Sequence, residues 1–171
     1  MCGSRKTDAA WLGLLAWLGL AGCAGLGEAV GPTPEELYGL ALPRVGGGEV
    51  RLADHRGQVL MVDVFVTWSQ ASALAIPGYA VLQGRYAGQG LAVVGVALDE
   101  ITLAVEPFVR GYEVPYPVAL ADEAVRQGRS PLGAVDSLPT LLVFDRGGRL
   151  RGAFLGRVPM QQVEALIRKL L

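Results

Sequence analysis

The chain is poor in the residues that carry most protein chemistry. It has 171 residues but only two cysteines, Cys2 and Cys23, and one histidine, His55. Both cysteines lie in the first 23 residues, which argues against a disulfide framework through the body of the chain. The same count leaves no set of Cys and His ligands for zinc, and no metal site or cofactor is expected. The formal net charge is −1, so there is no basic field to recruit nucleic acid. Gly46-Gly47-Gly48 reads as a turn and not as a phosphate-binding loop, because no Lys-Ser/Thr pair follows it.

What the chain has in quantity is apolar residues, 51% of the total, and one block of them is N-terminal. The start, MCGSRKTDAAWLGLLAWLGLAGCAG, places Arg5 and Lys6 before an apolar run from Ala9 to Leu20. That run is shorter than the roughly 20 residues that span a bilayer, and the pattern is that of a secretory signal. Leu20-Ala21-Gly22-Cys23 resembles the lipobox of bacterial lipoproteins, in which the signal is cut before the cysteine and the thiol is acylated. The resemblance implies a signal over 1–22, a mature chain starting at a lipidated Cys23, and membrane attachment facing the periplasm in a bacterial cell envelope. Ala24 does not argue for inner-membrane retention, which leaves the outer membrane open. An ordinary signal peptide or an uncleaved anchor is the competing account. Glu28–Glu36, rich in Gly, Pro and Glu, reads as part of a flexible tether over 23–41, leaving 42–171 as one domain. With Cys2 removed and Cys23 acylated, that domain has no free thiol.

Within the domain, Val59–Val66 and Leu91–Leu98 are almost continuously apolar and rich in β-branched residues, as strands buried on both faces are. Val50–Leu52 is a shorter strand candidate. Helices are expected over Ser72–Arg85 (with Pro77 as a kink), Leu103–Gly111 and Asp122–Gly128. Thr140–Asp145 and Leu150–Leu155 flank Arg146-Gly147-Gly148-Arg149, a hairpin signal. In Pro159–Leu171, Val163, Leu166, Ile167 and Leu170 share one helical face. The order β–α–β–α–β–β–α predicts an α/β domain with a central mixed sheet and helices on both sides.

Three blocks in this order carry a family resemblance: GEVRLADHRGQVLMVDVFVTWSQAS, IPGYAVLQGRYAGQGLAVVGVALDE and SLPTLLVFDRGGRLRGAFLG. They resemble the TlpA/ResA branch of envelope thiol-disulfide oxidoreductases, over about Leu42 to Leu171. The resemblance implies a thioredoxin-like fold. It also places the nucleophilic cysteine of the family on Ser69 and the resolving cysteine on Ser72. A glutamate frequent after the second cysteine falls on Ala75. Dithiol exchange needs a thiolate to attack and a second thiol to resolve the mixed disulfide. Two serines have no such redox couple, so catalysis is not expected. A peroxiredoxin reading fails equally for want of a thiol.

The same resemblance assigns roles to what remains. Asp63 lies six residues before Ser69, where thioredoxins use a buried Asp for proton transfer; here it is a vestige. Buried without a charge partner, it should titrate high. Pro139 matches a cis-proline. The backbone of Leu138 before it, with Trp68 as an apolar wall, implies a groove that pairs with an extended protein or peptide partner without any thiol. The competing account is that Trp68 and Pro139 only maintain the fold. Ser69 is also a good helix N-cap, with Ser72 in the first turn.

Other readings stay open. One has the serines as replacements for the cysteine pair of an oxidoreductase of the family; the codons for positions 69 and 72 decide this. Ser69 as a hydrolase nucleophile would need a base, and His55 is expected far from the helix mouth. Thr67-Trp68-Ser69-Gln70 is not a G-x-S-x-G elbow. Asp99-Glu100, two adjacent carboxylates after a strand, reads as a solvated loop.

Overall fold

A computed structural model describes residues 31–171. The signal, Cys23 and the first part of the tether lie outside the described residues. A five-stranded sheet forms the centre, in the order β5-β4-β3-β6-β7. β3 (Val59–Phe65) runs parallel to β4 (Leu91–Ala97), and β4 parallel to β5 (Val118–Leu120). β6 (Thr140–Phe144) and β7 (Leu150–Leu155) are antiparallel additions on the other side of β3. This is the mixed sheet with flanking helices expected for a thioredoxin-like α/β fold.

β3 and β4 are buried along their whole length, as their continuous apolar runs require. Side chains alternate across the sheet. Met61 and Phe65 face one core with Tyr79 and Leu82 of α2 (Gln70–Tyr86), Val105 of α3 (Val105–Gly111), and Val163 and Ile167 of α5 (Met160–Leu170). Leu60, Val62 and Val64 face the second core, which is closed by shorter pieces: α1 (Pro34–Tyr38), α4 (Glu123–Arg126) and the small β1–β2 hairpin, Ala41–Pro43 with Glu49–Arg51.

The boundary of the domain differs from expectation. The tether reading of 23–41 does not hold for its last residues. Thr33 caps α1 in a reciprocal capping box with Glu36, and Leu37 is fully buried while Tyr38 is nearly so. Burying one leucine contributes about 2 kcal/mol, enough to hold a five-residue helix that has little stability of its own. Two strands escaped the periodicity: β1 and β5 have only three residues each. Helix starts moved by a few residues. α2 begins at Gln70 and continues through Pro77, and α3 is preceded by a 3₁₀ turn over Thr102–Ala104.

Candidate functional site

β3 ends at Phe65 and the chain turns into α2 through Val66–Ser69. Ser69 is the N-cap: its Oγ accepts from the backbone N–H of Ser72 at 3.3 Å. The capping role expected for it is what the geometry gives. Ser72 is buried in the first turn, and its Oγ has no hydrogen-bond partner among the described residues. Trp68 projects outward with 78% of its surface exposed.

The turn is held from the neighbouring loop. The carboxylate of Asp99, just beyond β4, accepts from the Thr67 N–H at 3.1 and 3.2 Å and from the Thr67 hydroxyl at 2.5 Å. Asp99 is only 5% exposed. The solvated-loop reading is therefore wrong for Asp99 and right for Glu100, which is exposed. Nothing in the local sequence signals this, because the partner lies in another loop.

Asp63 is central in β3, on the face toward α2, and fully buried. Tyr116 donates its hydroxyl to Asp63 Oδ2 at 3.3 Å, while Oδ1 has no partner among the described residues. Burial raises the carboxyl to about 7, opposed by the Tyr116 hydrogen bond. Burial also pushes the Tyr79 and Tyr116 hydroxyls above their ordinary range, with the Asp63 charge adding to the effect.

The Leu138–Pro139 peptide is cis. Thr140 pairs with Val64, so Pro139 lies beside the end of β3 from which the Trp68 turn departs. Pro139 is buried and its carbonyl accepts from Gly156 N–H at 2.7 Å. The N–H and carbonyl of Leu138 take no hydrogen bond among the described residues. Ala75 lines a small groove with Leu74, Gly78, Val158 and Met160.

His55 sits at the opposite end of β3, where its Nδ1 is 3.0 Å from Gln58 Oε1. Seven strand residues at about 3.3 Å each put it roughly 20 Å from Ser69. A Ser69–His55 relay is ruled out by that separation. No group of three or more acidic, His or Cys side chains that could hold a metal occurs among the described residues.

The profile of the AhpC/TSA family matches residues 35–153. The chain belongs to the AhpC/TSA family. Within this redoxin family it sits with the thioredoxin-fold thiol-disulfide oxidoreductases of the TlpA/ResA kind. A thiol-disulfide oxidoreductase ResA of Bacillus cereus is 25% identical over 126 residues, 72% of this chain and 70% of that protein. The crystal structure of a putative thiol:disulfide interchange protein DsbE from Chlorobium tepidum is similar with a TM-score of 0.68 and 28% identity, covering 76% of this chain and 91% of that one. A second thioredoxin-family interchange protein from Chlorobium tepidum, at 23% identity, shares the fold with a TM-score of 0.70 over 84% of this chain and 97% of its own. This AhpC/TSA member has serine at both 69 and 72.

Proposed function

We propose that this is a lipid-anchored envelope protein whose thioredoxin-like domain binds a protein or peptide partner at the Trp68/Leu138–Pro139 face without dithiol chemistry. The observation that carries the reading is Ser69 and Ser72 at the mouth of α2, in a chain whose only cysteines are Cys2 and Cys23. A serine hydroxyl gives no stable anion beside a helix N-terminus and has no two-electron couple with a second serine. The helix start that favours a thiolate instead favours a capping oxygen, and Ser69 supplies one.

Binding does not need the thiols. The unpaired backbone groups of Leu138 suit a partner strand, and exposed Trp68 offers an anchor of the kind that dominates binding energy. Anchoring rests on the signal and Cys23 alone. Among the described residues no helix is long and apolar enough to cross a membrane.

Two measurements test this reading. The purified chain should not reduce a model disulfide above the buffer rate; turnover would overturn the loss of redox activity. In crosslinked pulldowns from the native envelope, Trp68→Ala should lose partners that the parent retains. An unchanged partner set would move binding away from this face.

A further inference from the structure

Apolar exposure at this end of the sheet is wider than Trp68. Ile101 is 73% exposed and Leu103 is 85% exposed, both in the loop that leaves β4. That loop is not loosely attached. On one side the Thr67–Asp99 hydrogen bonds tie it to the turn that carries Trp68. On the other, Val105 is fully buried and Phe108 stacks on Phe65 at 5.5 Å between ring centroids. Trp68 is one residue from Thr67 and Ile101 two from Asp99, so at most about 3.6 Å of chain per residue separates each from the shared clamp. Leu103 is likewise two residues from the buried Val105, so the three large apolar side chains stand on one fixed framework and are mostly exposed.

Charge beside them is acidic. Glu100 is exposed and forms no ion pair among the described residues. It borders a notch of about 390 Å³ whose other walls are Glu123, Arg126 and Gln127. Arg126 is already paired with Glu123 at 3.5 Å, so the notch holds one carboxylate in excess. An anionic bilayer surface is disfavoured by that charge, while a cationic side chain is favoured.

We propose that Trp68, Ile101 and Leu103 form one contact surface for a protein segment bearing an apolar side chain next to a lysine or arginine, with the cation seated against Glu100. This rests on the reading that this end of the sheet binds a protein, and it adds the β4–α3 loop and the chemistry of the partner. Apolar burial supplies affinity and Glu100 supplies discrimination, the usual division at interfaces.

The test uses the full chain in detergent and an immobilised peptide set. Each peptide carries an apolar core, extended by lysines, by glutamates or by neither. Lysine-bearing peptides should be retained at least about fivefold more than glutamate-bearing ones at low salt. Ile101→Ser with Leu103→Ser should lower their retention about tenfold. Glu100→Gln should abolish the preference for lysine while leaving retention of the neutral peptides unchanged. All three positions are exposed, so circular dichroism should match the parent. Equal retention of lysine and glutamate peptides overturns the proposal. Loss of binding by Trp68→Ala but not by the double variant also overturns it, and leaves the Trp68/Leu138–Pro139 reading standing. Indifference of binding to all these variants sinks both. Capture of the unacylated Cys23→Ser chain by phosphatidylglycerol vesicles in detergent-free buffer, in place of peptides, overturns the choice of partner.

Discussion

Thr67 gives both its backbone N–H and its hydroxyl to one buried carboxylate, that of Asp99, 32 residues further along the chain. The pair joins the loops after β3 and β4 and fixes the base from which Trp68 projects. Asp99→Ala leaves the Thr67 groups without their acceptor, and hydrogen bonds to a charged group contribute about 1.5–3 kcal/mol each in such settings. The variant should lose about 2–3 kcal/mol in urea unfolding. Asp99→Asn, which keeps one acceptor oxygen, should lose less. Equal stability of Asp99→Ala and parent would show that the clamp contributes nothing.

Asp63 makes the stability of the domain depend on pH. Its folded carboxyl is raised to about 7 by burial, against an ordinary value of 3.8. A raised acid holds its proton more tightly when folded, so its contribution is fully present below about pH 4 and is lost as pH rises to about 7. Asp63→Asn removes this dependence. The stability of the variant relative to the parent should improve between pH 4 and pH 8, by on the order of 4 kcal/mol. Urea midpoints for both proteins across that range check it. A constant difference at all pH values would place the titration elsewhere.

Leu37 tests where the domain begins. Its side chain is fully buried although it sits in a five-residue helix. Leu37→Ala should cost about 2–4 kcal/mol, as for other buried leucines. A chain starting at Leu42 should unfold at lower urea than one starting at Gly31. Matching midpoints would return α1 to the tether.

Placing cysteines at positions 69 and 72 tests what the site can support. Positions three apart at a helix start are about 5 Å apart between Cα atoms, within the range a disulfide tolerates. The double variant Ser69→Cys, Ser72→Cys should form an intramolecular disulfide and reduce insulin in the presence of dithiothreitol. Either single substitution should not turn over. Thiol titration and insulin turbidity give the readout. A double variant that forms the bond yet stays inactive would mean that the site lacks more than the two sulfurs.

How much of this was legible depended on whether the determining contact was local. β3, β4, β6, β7 and α5 announce themselves by period and composition, because their own side chains carry the burial pattern. The mouth of α2 was legible through a resemblance in the flanking blocks, and Ser69 as its cap by residue type alone. α1 was hidden by tether-like composition, although Thr33-Pro34-Glu35-Glu36 is a capping-box pattern and could have been read as a helix start. β1 and β5 were too short for alternation to register. Asp99 could not be read at all. Its burial is set by Thr67, and no window along the chain contains both. The exposure of Ile101 and Leu103 was equally hidden: the helix expected from Leu103 begins at Val105, and the residue types before it do not signal that the two side chains face outward.

One detail of the fold sets an orientation. Gly31 lies against Leu150, and Leu150 pairs with Phe144, which in turn pairs with Leu60 at the start of β3. The chain therefore joins the domain at the end of the sheet remote from Trp68. Gly31 thus stands at the heel of the domain, and the exposed side chains of Trp68, Ile101 and Leu103 at its toe. A partner engaging them meets the domain at the end of the sheet opposite to Gly31.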